Sequence, residues 1–389
     1  MEIVENLRLL QGEMIEWRHD IHAHPETAFE EQRTSALVAK KLESFGLRVH
    51  QGLGRTGVVG TLAAGLGKRA IGLRADMDAL DIHEKNSFSH RSQHEGKMHA
   101  CGHDGHIAML LGAAKHLSET RNFDGTVHFI FQPAEENEGG GREMVEQGLF
   151  EKFPCESVYG MHNWPGMPVG QFGVRPGPMM ASCDIFEIEL AGRGAHAAMP
   201  HTGIDPVVAA AALVQALQTI TSRNVDPIES SVVTVTQIHA GDTWNVIPDT
   251  AVLRGTTRAF RPEVQDLIER RVREICTGIA AAYGTQAKVR YERRYPPTVN
   301  AERETEICAS VLGRMVGREN VVRVPQVMGS EDFAFMLQAK AGCYVFAGNG
   351  PGEGGCILHN PHYDFNDEVL PLGASYWVNL VQHILAKRA

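Results

Sequence analysis

The sequence has no surplus of basic residues, no long apolar run and no paired-cysteine pattern, and each absence removes a class of protein. Its formal net charge is -10 and its pI is near 6.0; a nucleic-acid footprint needs a basic face or stripe, and none is present. No apolar run approaches the ~20 residues of a membrane-spanning helix. The opening MEIVENLRLLQGEMIEWRHD reads as an acidic amphipathic helix, without the basic n-region and apolar h-region of a secretory signal. Seven cysteines, at 101, 155, 183, 276, 308, 343 and 356, are odd in number and spread along the chain, unlike a small disulfide scaffold. These features predict a cytoplasmic protein with neither nucleic acid nor membrane as a partner. Two catalytic devices are missing as well. Gly52-Leu53-Gly54 runs into Arg-Thr-Gly and does not form a phosphate-binding loop, and no G-x-S-x-G nucleophile elbow occurs. The chemistry is left to metal-activated water.

What is present is a globular composition, 43% hydrophobic and 22% charged with 40 glycines and 18 prolines. A chain of 389 residues exceeds the usual single core and predicts two domains. The first part alternates helices, near 31–46 and 106–120, with apolar strands at GVVGTL (57–62), AIGLRAD (70–76), TVHFIFQP (126–133) and SVYGMH (157–162). Near-continuous apolar strands between helices signal a largely parallel sheet covered on both faces. From 184 to 297 the rhythm becomes β-α-β-β-α-β, a complete ferredoxin-like unit. The first style then returns, with a helix near 303–316, strand CYVFAGN (343–349) and a helix from about 370. The expected fold is α/β, a mostly parallel-sheet domain of residues 1–183 and 298–389 with an inserted α+β domain of residues 184–297.

Candidate ligands fall just past the carboxyl ends of the expected strands, where open α/β sheets place their sites: Asp76, Glu135 and Glu136, His162, and His359. Cys101 and His103 stand two apart in a glycine-containing turn before a helix. Their thiolate and imidazole suit zinc and also bind Mn, Co or Ni. Taken alone, the pair reads more readily as a helix start capped by Asp104 with a buried inert cysteine; the other donors reverse that preference. Glu135 and Glu136 follow a strand, and adjacent side chains do not easily face one ion, so Glu136 is read as ligand and Glu135 as the base that moves a proton. Glu138 continues the run, so a solvated acidic loop is the bland alternative. Of 19 histidines, His22, His24, His90, His94, His99 and His106 are left out as decoys.

With Cys-Gly-His-Asp-Gly-His (101–106), Gln-Pro-Ala-Glu-Glu (132–136), His-Asn-Trp-Pro (162–165) and His-Asn-Pro-x-Tyr-Asp-Phe-Asn-Asp (359–367) in this order, the chain resembles the peptidase M20 family. Its likeness is strongest to the branch of hippurate hydrolases, N-acyl-amino-acid amidohydrolases and indoleacetyl-amino-acid hydrolases, and it extends from Arg18-His19-Asp20-Ile21-His22-Ala23-His24-Pro25-Glu26 to the last motif. The resemblance implies two divalent metal ions per chain (Mn, Zn, Co or Ni), held by Cys101, His103, Glu136, His162 and His359, with Glu135 as general base. It also implies that the inserted domain is a lid and dimerisation domain, in which His196 of Gly192-Arg193-Gly194-Ala195-His196 serves the oxyanion, from its own subunit or across a homodimer. Asn245 holds the substrate on the same grounds, and Arg258 is a candidate clamp for its carboxylate. Asp76 and Asp78, where other branches have His-x-Asp, are expected to orient ligands rather than to bind metal. Asp81 stands where the branch commonly has proline. The expected activity is hydrolysis of the amide bond of a small N-acyl amino acid; a dipeptidase or aminopeptidase of the same superfamily and a non-catalytic metal sensor are the alternatives.

Overall fold

The computed structural model describes residues 3–136, 138–351 and 357–387; Cys356 lies outside them. The chain divides into two compact units, Met1–Gly177 with Val299–Pro325 and Asp332–Ala389, and Pro178–Thr298 with Gln326–Glu331.

The first unit is built on an eight-stranded sheet. Its centre is four parallel strands in the order Gly125–Gln132, Ala70–Asp76, Ser157–Trp164 and Ala341–Gly348. Nearly every residue of these strands is buried, as expected of strands covered on both faces. Gly57–Ala64 and Arg48–Leu53 extend one side antiparallel, and Phe172–Val174 joins Ala341–Gly348 antiparallel on the other, with Val321–Arg323 beyond it. One continuous core joins the sheet to its helices through Met14, Val38, Leu110, Val311 and Trp377.

The N-terminal segment does not form the single amphipathic helix its pattern suggests. It makes two helices, Glu5–Leu9 and Gln11–Ala23, and the second buries Arg18 and His22 along with Trp17 and Ile21. The polar positions are not all solvated, because Arg18 and His22 are taken up by Asp104 of a neighbouring helix. Among the described residues no helix is long and apolar enough to cross a membrane.

The second unit has an antiparallel sheet ordered Ser231–Ala240, Thr250–Ala259, Cys183–Ala191 and Gln286–Tyr295, with helices Pro206–Leu217 and Pro262–Tyr283 packed on it through Leu213, Leu253, Ile268 and Val272. Asp205 starts the first helix by accepting from the N–H groups of Val207 and Val208, with Pro206 just inside. The unit also takes in Gln326–Glu331, because Ala181 N–H donates to the carbonyls of Val327 (3.1 Å) and Gly329 (2.9 Å). No periodicity marks so short a piece.

Candidate metal centre

Asp76 is the last residue of its parallel strand, Glu135 and Glu136 follow the end of Gly125–Gln132 with two residues between, and His162 is the third residue from the end of Ser157–Trp164. Adjacent parallel strands therefore deliver these side chains to one sheet edge. The helix His103–Thr120 begins earlier than its apolar pattern indicates, with Gly102 at φ 90° before it. That turn is tight: a Cβ on Gly102 would lie 2.2 Å from Asn163 Nδ2 and 2.6 Å from the Tyr363 hydroxyl. Glycine is required there on both counts, and the turn sets Cys101 and His103 on either side of it.

The donors converge. Cys101, His103 and His162 bring ligand atoms within 4.8 Å of one another, and so do Cys101, Glu136 and His359, and His103, Glu135 and Glu136. Cys101 Sγ is 3.3 Å from His162 Nε2, and His359 Nε2 is 3.1 Å from Glu136 Oε1.

Tautomers decide which nitrogens are free. His103 Nδ1 lies 2.8 Å from the Asp78 carbonyl and so carries the proton it donates there, leaving a buried Nε2 with no hydrogen-bond partner. His162 Nδ1 donates in the same way to the Asn163 carbonyl at 2.6 Å, which aims its Nε2 lone pair at Cys101. Metal-ligating histidines have this arrangement, the second nitrogen being held by a carbonyl or carboxylate. His106 also belongs to a close donor group, with Asp76 and His103, but its Nε2 accepts Asn163 N–H at 3.0 Å and its Nδ1–H donates to Asp76 Oδ1 at 2.6 Å. Both nitrogens are occupied, so His106 orients its neighbours.

Electrostatics select for positive charge. Burial pushes the Cys101 thiol well above its usual range, and Glu136 and Glu135 push it further. Burial opposes charge on His103, yet Asp76, Asp78 and Glu136 together raise it to about 10. Burial likewise opposes ionisation of Asp76, but His103, His106 and Arg74 hold its carboxyl well below the carboxylate range. A thiolate, imidazoles and carboxylates around an orphaned, buried nitrogen match a divalent transition metal.

Asp76 and Asp78 are hydrogen-bonded to the candidate donor residues and their neighbours: Asp76 accepts from His106, and Asp78 accepts Glu136 N–H at its carboxylate (2.8 Å) and the His103 proton at its carbonyl. Glu135 and Glu136 each bring an oxygen within 4.8 Å of a His103 nitrogen, because the strand has ended and Ala134 at φ 53° turns the chain. A left-handed alanine costs about 1–2 kcal/mol, and such strain persists where the surroundings over-determine it. His359, at φ 63°, is a second case.

Residues beyond the sequence reading support Glu135. Asp332 N–H donates to Glu135 Oε1 at 3.3 Å, while the Asp332 carboxylate accepts from Arg74 (3.1 Å), Gln132 (2.7 Å) and Gly141 N–H (2.7 Å). Glu31 Oε1 accepts Ala134 N–H at 2.9 Å. Burial pushes the Glu31 carboxyl up to about 7 against the pull of the Thr56 hydroxyl. His106 alone carried a signal, its i,i+3 spacing from His103 on one helix face. Asp332 and Glu31 carried none. Of the six histidines left out, His106 falls in a donor group, whereas three others are engaged elsewhere or held neutral: His22 lies between Asp104 (2.9 Å) and Glu84 (3.2 Å), His90 stacks on His19 and Phe88, and burial lowers His99 to about 3.

In the second unit, His196 and Asn245 adjoin one another, since Ala195–His196 pairs antiparallel with Val246–Ile247 and Ala197 N–H donates to the Asn245 carbonyl at 2.9 Å. His196 Nδ1 accepts Ala198 N–H at 3.1 Å, which leaves Nε2–H as an exposed donor. The Arg258 guanidinium donates to the Ser330 hydroxyl at 3.1 Å.

Parallel strands carrying a buried Cys, His and Glu donor set define a metal-binding hydrolase of the metallopeptidase type. The sequence pattern of Peptidase family M20/M25/M40 matches residues 72–383, and the chain belongs to that family. It is 42% identical to the hippurate hydrolase of Campylobacter jejuni over 381 residues, covering 98% of both chains. It is 39% identical to an N-acetyl-L-cysteine deacetylase of Bacillus subtilis, over 96% of this chain and 88% of that one. A dinuclear metal binding peptidase of the M20 family from Bacillus subtilis superposes with a TM-score of 0.85 at 34% identity, over 97% of this chain and 99% of the other.

Proposed function

We propose that this hydrolase cleaves the amide bond of N-acyl amino acids of the hippurate type. The observation that carries the reading is a pair of adjacent carboxylates beside the Cys and His donors: Glu135 joins His103 and Glu136 within 4.8 Å and accepts Asp332 N–H. Similarity to the hippurate hydrolase and the deacetylase supports the acyl amino acid as substrate.

Cys101, His103, Glu136, His162 and His359 would hold two divalent ions, Mn, Zn, Co or Ni by donor type. When bound, these supply charge that acidifies a water and polarises the scissile carbonyl. Glu135 takes the proton of the attacking water and delivers it to the departing amine nitrogen. His196 Nε2–H donates to the carbonyl oxygen as negative charge develops there. Asn245 and Arg258 hold the substrate's carboxylate.

The test compares hippurate, N-acetyl amino acids and dipeptides before and after chelation, with Mn, Zn, Co or Ni added back. Chelator-sensitive hydrolysis of acyl amino acids restored by one metal is the expected outcome. Turnover of dipeptides alone would replace the reading with a dipeptidase, and stoichiometric metal binding with no turnover would replace it with a sensor.

The second unit is also proposed to pair with a second copy of the chain. Ser231–Ala240 is an outer strand of its sheet, and Ile238, Val207 and Val208 are 53%, 44% and 53% exposed. An outer strand with apolar neighbours is a template for pairing. Sedimentation should give twice the 42.6 kDa chain mass, falling to one chain mass in Val207→Glu/Ile238→Glu; a monomeric parent protein rules the pairing out.

A further inference from the structure

We propose that Glu31 is a positioning residue for the Glu135–Glu136 pair, holding the Ala134 peptide in the left-handed conformation that turns both carboxylates toward His103. The proposal rests on the reading of Glu135 as base. Glu31 is fully buried and immediately precedes the helix Gln32–Ser44, yet its side chain makes no capping hydrogen bond to that helix. Its oxygens are committed elsewhere. Oε1 accepts Ala134 N–H (2.9 Å) and Phe29 N–H (3.1 Å), and Oε2 accepts the Thr56 hydroxyl (2.6 Å).

Those partners share a feature. Among the described residues five non-glycines have positive φ: Phe29, Arg55, Arg121, Ala134 and His359. Two of them, Phe29 and Ala134, donate to the same Glu31 oxygen, and Arg55 precedes Thr56, which donates to the other. Strain of this kind survives only where neighbouring groups over-determine it, and here one carboxylate binds two strained positions directly and the residue that follows a third. The Ala134 peptide is pinned from the far side too: its carbonyl accepts Gly140 N–H at 2.9 Å, and a Cβ on Gly140 would lie 1.9 Å from the Pro133 carbonyl oxygen. If Ala134 relaxed to an extended conformation, the chain after it would swing about the Ala134 Cα and carry both carboxylates away from His103.

The expected result for Glu31→Ala is a kcat lower by about ten- to a hundredfold, the cost of displacing a reacting group by about 1 Å, with KM nearly unchanged. Metal affinity per folded molecule, titrated against a chromophoric chelator, should weaken by roughly tenfold because Glu136 turns away with Glu135. Glu31→Gln keeps an acceptor for Ala134 N–H and should recover most of both. Ala134→Gly, which takes positive φ without strain, should restore both quantities in the Glu31→Ala background. A role confined to folding would lower the unfolding midpoint and leave affinity per folded molecule and kcat per bound metal unmoved, and that outcome overturns the proposal. If Glu31→Ala does not fold, Glu31→Asp takes its place, being too short to span to Ala134. Glu135→Gln is assayed alongside: an active Glu135→Gln defeats the reading of the base, whereas an inactive Glu135→Gln with an undiminished Glu31→Ala defeats this proposal alone.

Discussion

Glu135→Gln is expected to bind metal as the parent protein does and to lose roughly a thousandfold in kcat, within the 10²–10⁴ that positioned proton transfer contributes. Gln retains the oxygen that accepts Asp332 N–H, and it fills the same volume in a site that is 7% exposed. It lies outside the donor cluster of Cys101, His103 and His162, although it shares a second cluster with His103 and Glu136. What the substitution removes is the capacity to take a proton and give it back. Steady-state kinetics with metal content measured on the same samples separates the two effects. A variant keeping most of its kcat would refute the assignment, and one that lost its metal would make Glu135 a ligand.

Metal removal is expected to lower the melting temperature of the chain by about 5–10 °C, from about 2.7 kcal/mol of linkage at a hundredfold excess over Kd and 2–4 °C per kcal/mol for units of this size. The candidate site gathers Cys101, Asp76 and Glu135, all under 8% exposed, around a His103 Nε2 without a hydrogen-bond partner. A bound divalent ion satisfies that nitrogen and offsets the clustered negative charge. The effect has a pH sign. Burial and the adjacent glutamates hold the Cys101 thiol protonated above its usual range, so binding displaces a proton and stabilisation by metal shrinks as pH falls. Calorimetry with chelator and with each metal at pH 8 and pH 6 measures this. Equal melting temperatures after complete removal, verified by atomic absorption, would show that these residues do not hold the ion.

Much of the architecture was legible because it is local. Apolar runs such as AIGLRAD and TVHFIFQP identify themselves as buried parallel strands by continuity, and the change to a β-α-β-β-α-β order after residue 184 marks the second unit. Donor types are also local: a Cys-x-His turn and paired glutamates suggest a metal chemistry once they are taken together with the other motifs of the family pattern. The N-terminal helix misled because a polar face is read as solvent-facing, whereas Arg18 and His22 meet a buried Asp104 more than 80 positions away.

By itself the sequence determined the fold class and the family, since each follows from periodicity or from a contiguous motif. The tertiary structure decided how the neighbouring histidines of the candidate site are hydrogen-bonded. His103 and His106 are three apart on one helix, and only their partners, the Asp78 carbonyl for one and Asn163 N–H for the other, leave one nitrogen free and occupy both of the second. Glu31 acquires its place from Ala134, 103 positions distant. Tautomers, strained peptides and buried carboxylates are settled by hydrogen bonds between segments remote in sequence, and no local pattern records them.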